Sequence, residues 1–309
     1  MTGPVLLALM PIVIVIALGT ALRHGKFLDD AFWPQAERLG YYVLLPCLFF
    51  NSLATADLRA VPVTELALTL VVSTVAVAGL VLLIRPVLNI DGPAFTSVFQ
   101  GSVRFNNYVG VTLAAGLFGA QGIALAAICN ASIVPTVNVL CVLVFARHGR
   151  ARLNGLGVLK QLVSNPLIMS SLAGIVFQVL GIGVHPGIGA ALKTLGRASL
   201  PLGLLCVGAA LDFGTARQWV GPVVASSAMK FLAMPVATAV AALVFGLHGP
   251  ALTTALMFQA LPCASSAYIL ARQLGGDAPL MAGITATQTV IAVVALPLVL
   301  LGLGLVMPV

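Results

Sequence analysis

Apolar residues run through this chain in long, nearly uninterrupted stretches. Crossing the hydrocarbon core of a bilayer takes about 20 mostly apolar residues in one α-helix. The stretches that suit this length predict helices near residues 4–22, 37–56, 64–85, 94–117, 121–146, 161–181, 190–212, 218–246, 251–273 and 278–306. Short segments rich in Gly, Pro and charged residues, such as RHGKFLDD and QLGGDAP, separate them. The pattern predicts an all-α integral membrane protein with about ten transmembrane helices.

The composition agrees with this pattern. Hydrophobic residues make up 60% of the chain and charged residues 7%, and the mean hydropathy is +1.12. A soluble domain carries about 25% charged residues, so a soluble protein is excluded. The formal net charge of +7 comes mostly from loops that flank the predicted helices. We therefore expect the lipid bilayer as a partner and no nucleic acid.

Basic residues concentrate in the predicted loops on one side of the membrane. Lys and Arg are enriched in short cytoplasmic loops. If the N-terminus lies outside, the inner loops hold Arg23, Lys26, Arg38, Arg85, Arg147, Arg150, Arg152, Lys160, Arg217 and Arg272, and the outer loops hold Arg59, Lys193 and Arg197. This bias predicts a multi-pass protein of the bacterial cytoplasmic membrane with both termini outside.

Two parts of the chain resemble each other. Pro46 and Asp57 lie eleven residues apart in LPCLFFNSLATAD, and Pro201 and Asp212 lie eleven apart in LPLGLLCVGAALD. Later in each half, a Phe-Gln pair leads into SVRFNNY or ALPCASSAY. Five predicted helices precede the basic link near residue 150. Because this number is odd, the second half starts on the opposite side of the membrane from the first and has the inverted orientation. The sequence predicts two inverted five-helix repeats, residues 1–150 and 151–309, as in many carriers.

One basic residue falls inside a predicted transmembrane helix of the first repeat. Arg104 lies near the middle of the fourth helix and is followed by Asn106 and Asn107. A cation at this depth costs at least about 2.5–3.5 kcal/mol. Arg104 either reaches the interface or a carbonyl of another helix, or it contacts an anion. Both interpretations remain open at this point.

The neighbouring residues predict an interruption of this helix and of its counterpart. Asparagine side chains compete for backbone hydrogen bonds and tolerate non-helical angles. In the second repeat Pro262 removes a backbone donor, which is compatible with an interruption or with a simple kink. If both helices break and cross, half-helix N-termini would attract an anion. The predicted substrate-binding residues are Arg104, Asn106, Asn107, Pro262, Ser265, Ser266, Asn51 and Gln259.

A second cation, Lys230, lies near the middle of the eighth predicted helix. It either extends towards the interface or takes the place of a cation or proton in a transport cycle. Polar residues that follow the two predicted breaks are candidates for binding a coupling ion, sodium or a proton, or else form hydrogen bonds between helices, worth about 0.6 kcal/mol each. Together with Lys230, these coupling-ion candidates are Asn130, Asn138, Gln288 and Thr289.

The acidic residues favour a negatively charged substrate. No Asp or Glu lies clearly in the middle of a predicted helix, whereas a carrier for cations would be expected to bury at least one. No HExxH, GxSxG or phosphate-binding glycine loop is present in the sequence. We therefore expect a transporter of anions and not an enzyme, with no catalytic residue, metal site or cofactor.

Several motifs resemble the auxin efflux carrier family, whose bacterial members are similar to malonate and other carboxylate permeases. They are LLPCLFFNSLATADL, RFNNYVG, NPLIMSSLAG, ASLPLGLLCVGAALDF, KFLAMP and LPCASSAYILARQLGGD. The resemblance implies a ten-helix fold, related in outline to bile-acid sodium symporters, in which helices 4 and 9 break and cross. Helices 1, 2, 6 and 7 would form a scaffold, and helices 3–5 and 8–10 a mobile transport unit. The crossing would map onto residues 104–107 and 262–266.

Two departures from plant auxin carriers argue against auxin as the substrate. Plant auxin carriers typically have a proline at both breaks and a long central cytoplasmic loop. In this chain the first predicted break has no proline, and only about 15 residues separate the fifth and sixth helices. We expect a secondary transporter that moves a small carboxylate by elevator-type alternating access, as a homodimer joined through its scaffold. The alternatives are a sodium- or proton-coupled cation exchanger and an anion channel of similar fold.

Overall fold

A computed structural model describes residues 2–56, 61–149, 165–211 and 220–306 of the chain. Every regular element in these ranges is helical, and none of them contains a strand. The elements are α1 (Thr2–His24), α2 (Phe32–Leu39), a π-helical turn (Gly40–Leu44), α3 (Leu45–Ala54), α4 (Val63–Leu88), α5 (Gly92–Val103), α6 (Asn107–His148), α7 (Pro166–Val179), α8 (Pro186–Ala209), α9 (Val220–Ala228), a second π-helical turn (Met229–Ala233), α10 (Met234–Phe245), α11 (Gly249–Gln259), α12 (Ser266–Leu274) and α13 (Ala278–Val306). The predicted all-α class is confirmed.

Local sequence signals fix several helix ends. The Asp91 carboxylate accepts a hydrogen bond from the Ala94 N–H at 2.9 Å and caps α5. Asn165 caps α7 in the same way. Helix α8 begins at Pro186, not near residue 190 as the apolar pattern predicted, because proline in a first turn needs no N–H partner. At the end of α12, Gly275 takes the left-handed conformation with φ of 74°.

Six helical stretches in the described ranges are long and apolar enough to cross a membrane. They are Leu7–His24, Val63–Leu88, Gly92–His148, Pro186–Ala209, Val220–Phe245 and Ala278–Gly302. Helix α7 is apolar but shorter. Large apolar side chains such as Leu83 and Val244 are 77% and 72% exposed on the helix surfaces, which suits contact with lipid chains. The protein is therefore a multi-pass membrane protein.

The chain divides into two compact units. Unit 1 comprises Met1–Val63, Asn107–Ala131 and Leu162–Ala210. Within it, α1 lies against α8 with the two backbones in close contact, because a Cβ atom at Gly19 would overlap the carbonyl of Leu205 and one at Gly208 would overlap that of Ile16. The Thr20 hydroxyl donates to the Gly208 carbonyl at 2.8 Å. Glycines at the contact between α1 and α8 thus allow the two helix backbones to approach closely.

A glycine divides α6 into two helices. Gly119 has φ of 56° and ψ of −133°, a backbone conformation that favours glycine over residues with a side chain. The chain then turns back, and a Cβ atom at Gly122 would overlap the Ala114 carbonyl. This turn falls between the predicted helices 94–117 and 121–146.

Unit 2 comprises Thr64–Asn106, Ser132–Gln161 and Leu211–Val309. Its central element is α5, in which every residue from Ala94 to Val103 is buried. Helix α5 packs against α9, α12 and α13, and α11 packs against α10 and α13. Unit 2 therefore contains the ends of both helices that the sequence analysis expected to be interrupted.

Candidate functional site: two helix interruptions in unit 2

The first interruption separates α5 from α6. Helix α5 ends at Val103, residues 104–106 are not helical, and α6 begins at Asn107. Arg104 is extended, with φ of −75° and ψ of 157°, while its N–H still donates to the Gln100 carbonyl at 2.8 Å. The chain therefore leaves the helix at the residue that carries the charge.

The second interruption separates α11 from α12. Helix α11 ends at Gln259 and α12 begins at Ser266. Pro262 is buried in the segment between them, and Ser265 and Ser266 are half-buried. Because proline has no N–H group, this segment offers one donor fewer to continue the helix. The first turn of α12 is closed by the Ala267 N–H, which donates to the Ala264 carbonyl at 3.0 Å.

One side chain on α13 joins the two interruptions. The Gln288 Oε1 accepts a hydrogen bond from the Cys263 N–H at 3.0 Å. Its Nε2 donates to the Gly101 carbonyl at 3.1 Å and to the Ser226 hydroxyl at 3.2 Å. Gln288 is fully buried, so both ends of its amide replace hydrogen bonds that the broken helices lack.

Two further contacts bring these segments together. The Cys263 thiol donates to the Gln100 carbonyl at 3.8 Å. The rings of Phe105 and Phe258 lie with their centroids 5.7 Å apart. Backbone, thiol and aromatic contacts therefore connect the end of α5 with the segment between α11 and α12.

The Arg104 side chain contacts two residues in the second half of α6. Its Nη1 donates to the Asn138 Oδ1 at 3.0 Å, and its guanidinium also interacts with the Cys141 thiol. The Nε atom is buried and has no hydrogen-bond partner among the described residues. Asn138, predicted as an ion ligand, thus orients the guanidinium and leaves part of its donor fork unused.

Lys230 lies on the second π-helical turn, between α9 and α10. Its side chain is 0% exposed, and within the described ranges Nζ has no hydrogen-bond partner. The thiols of Cys141 and Cys263 interact electrostatically with both Lys230 and Arg104. The two cations therefore interact with the same pair of thiols. Single π-helical turns within α-helices are frequent at functional sites.

No carboxylate balances this charge inside the described part of the protein. Every Asp and Glu in residues 2–56, 61–149, 165–211 and 220–306 is exposed or half-buried. Asp57 and Asp212, which end the two repeated Pro–Asp spacings, lie outside the described residues. The interior of unit 2 near the interruptions is therefore positive in its described part. No group of three His, Cys, Asp or Glu residues in those ranges could hold a metal ion.

Other predicted site residues of unit 2 are held by the protein itself. The Gln259 Nε2 donates to the Leu70 carbonyl at 3.1 Å and to the hydroxyls of Ser73 and Thr74, both at 2.9 Å. These bonds connect α11 to α4 and use both amide hydrogens. The Thr289 hydroxyl donates to the Thr285 carbonyl within α13.

The predicted site residues fall in both units. Unit 1 contains Asn51, Asn107 and Asn130. The Asn130 Nδ2 donates to the Ala126 carbonyl at 2.8 Å, and the side-chain oxygens of Asn107 and Asn130 are buried without a partner in the described residues. The predicted residues in unit 2 are Arg104, Asn106, Asn138, Lys230, Gln259, Pro262, Ser265, Ser266, Gln288 and Thr289.

Sequence reasoning missed three residues that build this region, namely Gly101, Ser226 and Cys263. A Cβ atom at Gly101 would overlap the Ser226 hydroxyl and Ile284, so α5 needs a glycine to approach α9 and α13. Ser226 lies four residues before Lys230, so the two residues share one helix face. This spacing was the sequence signal that could have identified Ser226. Nothing in the sequence marks Cys263, because its role depends on its backbone N–H and its neighbours in space.

Comparisons with known proteins agree with the sequence and the fold. A family model described as membrane transport protein matches residues 150–300. A protein named as an uncharacterized transporter from Methanothermobacter thermautotrophicus is 24% identical over 293 residues, which cover 94% of this chain and 95% of that protein. These similarities agree with the predicted family resemblance and indicate a membrane transporter rather than an enzyme.

Proposed function

We propose that this transporter moves a small organic anion, a carboxylate, by elevator-type alternating access. The observation that carries the proposal is the charge at the joined helix interruptions. Arg104 and Lys230 lie near the same two thiols in unit 2, and no buried acid in the described residues compensates them. A cation at membrane depth is costly unless it has a partner or a function. A carboxylate substrate supplies that partner.

The geometry of Arg104 suits a carboxylate. A guanidinium binds a carboxylate through two parallel hydrogen bonds when its donor fork is oriented. Asn138 orients one edge through Nη1, and Nε remains without a partner in the described residues. The substrate would therefore meet a positioned cation, which reduces the entropy lost on binding.

The second interruption would supply neutral contacts. Helix α12 begins at Ser266, and the N-terminal end of a helix attracts anions. We assign Ser265, Ser266 and Asn106 to substrate orientation, and Pro262 to keeping the segment out of a helix. This arrangement resembles carriers in which half-helix ends and unwound backbone bind the substrate near the midplane.

The wider architecture is part of the same proposal. We propose ten transmembrane helices in two inverted repeats, with both termini outside the bacterial cytoplasmic membrane. Unit 2, which holds both interruptions, would be the transport unit, and unit 1 the scaffold and the site of homodimer formation. The paired interruptions and the duplicated Pro–Asp spacing support this arrangement.

A carrier and a channel differ in exchange kinetics, and this difference tests the proposal. The purified protein is reconstituted into liposomes loaded with unlabelled carboxylate, and entry of radiolabelled malonate, succinate or lactate is followed. We expect saturable entry that is faster when the same carboxylate is present inside. Entry without saturation or acceleration by internal substrate would indicate an anion channel. Proton-driven sodium or potassium exchange without carboxylate entry would indicate a cation exchanger.

A further inference from the structure

We propose that Lys230 carries one proton across the membrane with each anion, so that the protein is an anion–proton symporter. The proposal rests on the proposed carboxylate transport and adds the coupling ion to it. It starts from the position of Lys230 on a π-helical turn in the interior of unit 2, where its Nζ has no hydrogen-bond partner in the described residues.

Among the described residues, no carboxylate lies beside Lys230 that would keep it charged. The turn Met229–Ala233 contacts α5 and α13 as well as its chain neighbours α9 and α10. None of these four helices contains an Asp, Glu, Lys, Arg or His. In the described part of the chain, the titratable groups that interact with Lys230 are the thiols of Cys141 and Cys263, and the Arg104 guanidinium interacts with the same thiols. A second cation nearby makes a charged ammonium still less favourable.

The two cations differ in one chemical property that matters here. A guanidinium keeps its proton in proteins, whereas a buried lysine releases its proton readily. In the proposed cycle, the Lys230 amine releases its proton when no anion is bound, which a guanidinium cannot do. A carboxylate that docks beside Arg104 supplies negative charge, which favours the protonated form of Lys230. Substrate and proton therefore bind together.

The proton balance of one transport cycle is complete without another reactant. On the loading side, the neutral Nζ of Lys230 takes a proton from water while the carboxylate binds. On the release side, the carboxylate leaves, the N–H bond breaks and the proton returns to water. The lysine ends the cycle neutral, and one proton has moved in the same direction as each anion.

The position of Lys230 also links its charge to the joined interruptions. Ser226, one helical turn before it, accepts the hydrogen bond from Gln288, and Gln288 joins the end of α5 to Cys263. A change of charge at Lys230 therefore occurs beside the contacts that hold the proposed substrate site together. This supplies a physical route by which proton and anion occupancy favour the same conformation.

The test measures malonate and protons in the same liposomes. A pH-sensitive dye trapped inside reports proton entry, and radiolabelled malonate reports anion entry. For the wild type we expect about one proton per malonate beyond any carried by malonate itself, and faster entry when the outside is more acidic. Lys230→Met removes the titratable amine, and Lys230→Arg keeps a charge that does not titrate. We expect both variants to lose the extra proton.

Controls separate the possible failures. Lys193→Met changes an exposed lysine on α8 and should keep the wild-type ratio. Lys230→Arg keeps a cation at this position, so any malonate that this variant moves should enter without the extra proton. If the wild type exchanges malonate but no extra proton enters, or if either Lys230 variant keeps it, the symport inference is overturned while the anion carrier stands. If the wild type exchanges no malonate, the proposed function fails first.

Discussion

The two helix interruptions of unit 2 differ in what they contribute. The first comprises residues 104–106 and carries the guanidinium of Arg104. The second comprises residues 260–265, contains a buried proline and carries no charged residue. Under the proposed function, the first segment supplies a positive charge to the carboxylate and the second supplies neutral donors. Two interruptions that the same contacts connect can thus hold different chemistry.

The Gln288 side chain, which joins the two interruptions, is the residue whose substitution should have the largest effect. Gln288→Leu keeps a similar volume and removes both hydrogen-bonding groups that join Cys263 to Gly101. Each buried group left without a partner costs about 1–3 kcal/mol. We expect a larger drop in melting temperature than for any other single substitution in unit 2 proposed below, together with loss of carboxylate exchange. The measurements are the melting temperature in detergent and malonate exchange in liposomes.

Gln273→Leu is the matched control, because Gln273 is exposed near the end of α12. It should melt and exchange like the wild type. Equal melting temperatures for the Gln288 and Gln273 variants would show that the amide does not hold the interruptions together.

Close packing beside the first interruption gives the next largest effect. A Cβ atom at Gly101 would overlap the Ser226 hydroxyl and Ile284. Over-packing a filled interior costs about 1–3 kcal/mol, so Gly101→Ala should lower the melting temperature and slow exchange. Gly79→Ala is the control, since a Cβ there meets nothing within 4 Å and alanine favours the helix. The expectation fails if the two variants are equally stable.

The partner of Arg104 distinguishes orientation from charge. Asn138→Ala removes one hydrogen bond between helices, worth about 0.6–1.7 kcal/mol. This should raise the KM for malonate by roughly three- to twenty-fold with little change in stability. Asn138→Asp places a carboxylate against the guanidinium and should compete with the substrate, so its KM should rise further. A lower KM for the Asp variant would contradict an anion contact at Arg104.

The neutral donors should give the smallest effect. Ser266→Ala removes a hydroxyl at the first residue of α12 and should raise the KM by about tenfold or less, the loss expected for one neutral hydrogen bond. Ser170→Ala is the control, because that hydroxyl donates to the Leu167 carbonyl within α7. If Ser266→Ala impaired malonate exchange more than Arg104→Gln does, the proposed division of tasks between the interruptions would be wrong.

The sequence predicted most of the helices, because the lipid environment imposes long apolar runs. The predicted helix 278–306 has the bounds of α13, and the predicted helix 64–85 lies within α4 (Val63–Leu88). Arg104, the asparagine pair and Pro262 indicated where helices would be interrupted, since each residue type conflicts with a continuous apolar helix. These signals are local, so a single sequence displays them.

The contacts that join distant segments left no comparable signal. Gln288 was predicted as an ion ligand, and its amide forms hydrogen bonds with groups that are distant in the sequence. Asn138 was predicted for the same role, and its Oδ1 accepts a hydrogen bond from Arg104. An amide side chain serves either purpose equally well, and only the positions of its neighbours decide. The roles of Gly101 and Ser226 depend on packing between helices, and no periodic pattern in the sequence marks these two residues.

Binding of malonate to the purified protein tests the central claim most directly. Isothermal titration in detergent would compare the wild type with Arg104→Gln, and with Arg197→Gln, which changes an exposed arginine on α8. Losing a charged hydrogen-bond donor costs about 1.5–3 kcal/mol, so we predict binding weaker by about 10- to 100-fold for Arg104→Gln and unchanged for Arg197→Gln. Equal malonate affinity in all three proteins would contradict an anion site at the joined interruptions.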